Sequence, residues 1–155
     1  MQKTSLGWLL ATGGFCAAVA AILTWRFYGA MSTIPMKVSI TLWVLAIICG
    51  WAAVRVQGKV DEGMVGQDAS QMNPLTIAYL AMLGRASAWG GAIVGGIYVG
   101  MASFVIPRVG ELSAAQADMP GVLASALGGI ALAGAGLYLE RSCQAPPPQS
   151  GETIG

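Results

Sequence analysis

Apolar residues along this chain fall into four unbroken runs rather than into a periodic stripe. Residues 4–25 lie between Lys3 and Arg26, and residues 38–54 between Lys37 and Arg55. Residues 86–107 lie between Arg85 and Arg108, and residues 119–139 between Asp118 and Glu140. A helix needs about 20 apolar residues to cross the hydrocarbon core. A soluble helix would instead carry charge every few residues along its outer face. The pattern therefore predicts four transmembrane helices, over about 5–25, 38–54, 86–106 and 120–139. A membrane β-barrel would need shorter runs alternating apolar and polar residues, and the runs here have no period of two. The expected fold class is all-α, an integral membrane four-helix bundle.

The first run also admits a signal-peptide reading, since Lys3 precedes an apolar stretch with small residues. The run is too long for the usual h-region, and residues 25–28 (Trp-Arg-Phe-Tyr) have the character of an interfacial anchor rather than a cleavage site. Cys16 is a poor lipoprotein cysteine because bulky Phe15 precedes it. An uncleaved first helix is the better reading.

Basic residues then orient the chain. Lys3, Arg55, Lys59, Arg85 and Arg141 fall on one side, and Arg26, Lys37 and Arg108 on the other. The larger share marks the cytoplasmic side, so both termini of a multi-pass membrane protein are expected in the cytoplasm. The connection over residues 57–73 is the longest polar stretch and holds Asp61, Glu62 and Asp68 among glycines. Asn73-Pro74 reads as a helix start, with Asn as cap and Pro at the first helical position. Residues 75–84 then either continue the third helix or lie along the interface. The domain expectation is a four-helix unit over 1–143, followed by a disordered cytoplasmic tail over 144–155, where Pro146, Pro147 and Pro148 block further helix.

Composition sharpens this picture chiefly by what is missing. Only 10% of residues are charged against 55% hydrophobic, with mean hydropathy +0.67 and a net charge of +1. A soluble domain carries about 25% charged residues. No basic cluster exists to hold nucleic acid. Histidine is absent, which removes the commonest general base and metal ligand. Within the four runs there is no Asp, Glu, Lys or Arg, which argues against a proton relay. Cys16, Cys49 and Cys143 are isolated and form no C-x-x-C motif. No catalytic, cofactor or metal set is visible, and the chain is expected not to be an enzyme.

Glycine is abundant instead, at 22 residues. Gly91 and Gly95 form one G-x-x-x-G pair, and Gly96 and Gly100 another one face over. Gly128 and Gly129 sit in similar rows on the fourth helix, and Gly13, Ala17 and Ala21 on the first. Small rows let backbones approach where hydrophobicity gives helices no reason to associate. They either pack the four helices of one monomer or present one row, most plausibly on the third helix, to a second copy or another membrane protein. The one polar constellation is Arg55, Arg85, Glu140 and Arg141, expected near one interface in a structural role.

Certain residues carry a resemblance: the start Lys3-Thr4-Ser5, Asn73-Pro74-Leu75, the run 84–96 from Gly84-Arg85 through Gly95-Gly96, and the close Leu139-Glu140-Arg141-Ser142-Cys143. On these the chain resembles a family of small actinobacterial four-helix membrane proteins of unknown function, whose genes often adjoin folate-biosynthesis genes. The resemblance implies both termini inside and a plasma-membrane location, and it brings no catalytic residues. Members often close the last helix with Glu-Arg, two cysteines and a basic residue. This chain has Ser142 and Gln144 there, so a thiol pair is not implied.

The function expected is that of a non-enzymatic accessory or assembly subunit, packing against itself or another membrane protein through its Gly/Ala-rich helices, with membrane lipids around it. The alternative is a small transporter or pore for a neutral or amphipathic solute, with Ser87, Tyr98 and Ser103 lining a path.

Overall fold

The computed structural model describes residues 4–30, 37–61 and 74–144. Four helices make up nearly all of it: α1 (Leu6–Phe27), α2 (Lys37–Asp61), α3 (Pro74–Arg108) and α4 (Ser113–Ser142), with a 3₁₀ turn, Tyr28–Ala30, closing α1. All four are long and apolar enough to cross a membrane. The end holding Thr4, Arg55, Arg85 and Glu140 is termed the near end below, and the end holding Tyr28, Arg108 and Asp118 the far end.

The helices outrun the apolar stretches that predict them, for an identifiable reason. A charge marks where a helix leaves the apolar slab, and the backbone can continue past it. Thus α2 runs on to Asp61, because Val56 beyond Arg55 is fully buried against its neighbours. In α3 the proline opens the helix, where its missing N–H is harmless, and the helix runs for 35 residues without a break. That is about 52 Å of helix against a core of about 30 Å. Residues 75–84 therefore continue the third helix. Asn73, the expected cap, lies outside the described residues, as do 62–72 of the connection and 145–155 of the tail. α4 begins at Ser113 rather than near 120. Good helix formers before Pro120 start it early, and Pro120, the eighth residue of the helix, forgoes one bond.

Packing follows a line, α1 to α3 to α4 to α2. α3 and α4 form the central antiparallel pair, α1 lies parallel to α3 on one flank, and α2 packs mainly on α4 on the other. Neither α1 and α2 nor α1 and α4 come into backbone proximity among the described residues.

Glycine makes the central pair possible. A methyl group on Gly91 would stand 2.8 Å from the Gly129 carbonyl oxygen, and one on Gly129 would stand 2.6 Å from the Gly95 nitrogen. Real side chains essentially never come within 3.0 Å, so these two backbones touch. Gly84 and Gly136 repeat the contact toward the near end, where a methyl on Gly84 would meet the Glu140 nitrogen at 2.8 Å. One face over, Gly96 and Gly100 of α3 receive Gly13, Ala17 and Ala20 of α1. Gly128 makes room for Leu42 and Trp43 of α2, and the Trp43 indole N–H donates to the Ala124 carbonyl at 3.2 Å. All six glycines singled out in the sequence thus face another helix of the same chain. Leu139, Val56 and Cys49 fill the near half of the core, Leu42 continues the same cluster to mid-bundle against Gly128, and Val105, Phe104 and Val122 fill the far half.

Candidate functional site: polar contacts at the two ends of the bundle

Two carboxylates on α4 are more than nine-tenths buried, Asp118 and Glu140. They are twenty-two residues apart on one helix, about 33 Å at 1.5 Å per residue. Each reaches across to one end of α1, although α1 and α4 are not packed together. The sequence pattern marks Asp118 only as a span limit, and Glu140 as a span limit and a member of the arginine cluster.

At the near end, the Thr4 backbone N–H donates to Glu140 Oε1 at 3.0 Å. Ser5 caps α1 by accepting from the Trp8 N–H at 3.3 Å. An α-helix starts with unsatisfied N–H groups and a partial positive charge. A carboxylate suits that position, which is why an acid is tolerated there. Glu140 Oε2 and the Thr4 hydroxyl oxygen are buried without a hydrogen-bond partner. Close by, the Tyr138 hydroxyl donates to Gln57 Oε1, linking α4 to α2.

The expected cluster of Arg55, Arg85, Glu140 and Arg141 shares this level of the bundle but is not joined through Glu140. Its carboxylate serves Thr4, while Arg85 and Arg141 are exposed. Arg55 instead lies over the Trp51 ring of its own helix, 4.6 Å from the centroid.

The far end is richer. The Tyr28 hydroxyl donates to Asp118 Oδ2 at 3.1 Å. The Tyr28 ring lies 4.8 Å from that of Phe104, and Trp25 meets Phe104 edge-on at 6.1 Å. The Arg108 guanidinium sits 4.0 Å above Phe104 and 5.3 Å from Trp25. Sequence reading took 25–28 for an anchor and missed this convergence. Its signal was that the fourth run alone is bounded by acids at both limits.

Among the described residues, neither end assembles a nucleophile with a base. Thr12, Thr24, Ser103 and Ser142 each bond a carbonyl of their own helix. The Cys49 thiol faces the Ser87 hydroxyl at 3.4 Å. All three cysteines are unpaired. Burial pushes the Cys143 thiol above its ordinary value, leaving it a poor nucleophile. Ser87 faces α2, Tyr98 packs into the far half of the core, and Ser103 is exposed, so these three do not line one path.

The fold and contacts define a small all-helical protein with four helices able to cross a membrane, held by glycine contacts in the middle and polar contacts at the ends. Residues 9–147 match the family described as "Protein of unknown function (DUF3180)", and the chain belongs to it. No curated protein and no solved structure matches the chain.

Proposed function

We propose that this protein is a non-enzymatic accessory or assembly subunit of a multi-pass membrane system, and that it docks through the near end of α3. The singled-out glycines each face another helix of the same chain, so a docking face is sought beyond them. The observation that carries the reading is the part of α3 below Arg85. Its Ile77, Leu80 and Ala81 pack onto the near half of the core. The other side presents Leu75, Tyr79, Met82 and Leu83, exposed by 61%, 65%, 61% and 48%. Spacings of four, three and one put these residues on one face. Apolar residues facing lipid need no explanation, but this stretch extends about 15 Å past Arg85, beyond where acyl chains would cover it. An exposed apolar patch in that position marks an interaction surface.

Both termini inside the plasma membrane of an actinobacterium is the placement the resemblance implies, and it would put this face in the cytoplasm. A transporter or pore has less behind it, since the hydroxyls proposed for a path are divided between different faces.

A photo-crosslinking benzophenone residue at position 79, activated in native membranes, tests the reading. Formation of a discrete protein adduct, lost on replacing Met82 and Leu83 with Ser in the same chain, is the expected result. Crosslinking to lipid alone, together with migration as a lone monomer under every mild detergent condition, would reject it.

A further inference from the structure

We propose that the far-end face of α1 and α3 binds an anionic phospholipid, its phosphate held by Arg26 and Arg108 beside Trp25 and an acyl chain resting against Ala21 and Ile22. Three observations converge on this.

The first is the state of Arg108. Its guanidinium is stacked over Phe104 at 4.0 Å and against Trp25 at 5.3 Å. Stacking uses the π face and fixes the side chain, leaving the in-plane N–H fork available, the geometry that suits a phosphate. Among the described residues neither Arg108 nor Arg26 forms a salt bridge. Of the nearby acids, Asp118 already accepts from Tyr28, and Glu111 is exposed in the turn between α3 and α4.

The second is shape. A shallow hollow of about 580 Å³ opens on α1, lined by Ala21, Ile22, Trp25 and Arg26. Its floor is hydrocarbon and its rim is a cation. A free phosphate would touch only the rim, whereas a phospholipid would use both.

The third is depth. Arg26 lies twenty-two residues from Thr4, and Arg108 twenty-three from Arg85, about 33–35 Å in each case. That spacing places both cations just outside a hydrocarbon core of about 30 Å, at the headgroup level, with Trp25 in the usual position of an interfacial indole. The near end offers a contrast. There Arg55 stacks over a single ring, that of Trp51 on its own helix.

Native mass spectrometry of the detergent-solubilised full chain, titrated with phosphatidylglycerol and with phosphatidylcholine, tests the proposal. The wild type should prefer phosphatidylglycerol by about tenfold, equivalent to one strong charge-assisted contact. Arg26→Gln with Arg108→Gln should bring the two lipids within about twofold, and Arg55→Gln should leave the preference intact. Should the double variant fail to fold, Arg108→Lys keeps the charge but loses the fork, and should weaken the preference at least about threefold. Equal binding of the two lipids by the wild type would overturn the proposal, as would an undiminished preference in the double variant or in Arg108→Lys. Displacement of phosphatidylglycerol by excess inorganic phosphate would assign the arginines to a free anion and overturn it too.

Discussion

The α3–α4 pair and the α1 flank solve the same problem in different ways. α4 buries twelve residues, from Ala115 to Glu140, and its glycines touch the α3 backbone directly. α1 buries three, Leu9, Ala20 and Thr24, and leaves Trp8, Leu10, Phe15 and Ile22 exposed. It compensates at its ends, where Thr4 and Tyr28 each bond a buried acid of α4. Close packing distributes adhesion along a helix, whereas end contacts concentrate it at two points. In an apolar slab the first depends on dispersion and side-chain size, and the second on hydrogen bonds at the only depths where polar groups are tolerable.

Substitution at the central pair should have the largest effect. Gly129→Leu must displace the α3 backbone at Gly95 and Gly91, and is expected to cost about 3 kcal/mol or more. Gly14→Leu is the matched comparison on α1, since a methyl group there would meet no other helix within 4 Å, and it should change stability by less than about 0.5 kcal/mol. Unfolding in graded SDS, followed by circular dichroism, reads both. Equal losses would show that glycine contact does not distinguish the two regions.

Next come the end contacts. Glu140→Ala leaves the Thr4 N–H buried without an acceptor, for an expected loss of about 1–3 kcal/mol. Glu140→Gln keeps an acceptor and should recover most of it. Tyr28→Phe removes only the hydroxyl and preserves the stack on Phe104, so it should cost about 1 kcal/mol. Both effects belong to α1, so protease cleavage within α1 should accelerate before the rest of the bundle loosens. If global unfolding and α1 cleavage respond equally, the ends are not independent anchors.

How much of this was legible in the sequence depends on which physics dominates. The number of helices and their all-α nature follow from charge-free runs, because membrane solvation acts on each segment separately. Helix lengths do not, since Val56 and residues 75–84 stay helical through contacts made beyond the charges. The glycine rows could be found by spacing, yet their partners could not. Gly96 facing α1 and Gly95 facing α4 are adjacent in sequence, and only the assembled bundle separates them. Arg55, Arg85, Glu140 and Arg141 sit toward the same end of the bundle. Hydrogen bonding, which decides partners within a level, gave Glu140 to Thr4 instead. Asp118 and Tyr28 lie ninety residues apart, and no local pattern connects them.

The smallest expected effect concerns Cys143, where the packed end of α4 can be compared with its own unfolded state. Its side chain belongs to the near-half core, against which Ile77, Leu80 and Ala81 of α3 also pack. Burial holds its thiol above the ordinary value of 9.0. Alkylation proceeds through the thiolate, so the folded protein should react several-fold more slowly with iodoacetamide than the SDS-unfolded chain at the same mildly alkaline pH. The sign for stability follows from the same shift. As pH rises past the unfolded thiol's value, the unfolded chain releases its proton first, so the folded state loses stability upward from about pH 9. Cys143→Ala should flatten that part of the profile while removing the slow reacting thiol. Equal alkylation before and after unfolding would mean that the lower part of α3 does not stay closed over α4. In that case the extension carrying Tyr79 and Met82 would be held no more firmly than the flank formed by α1.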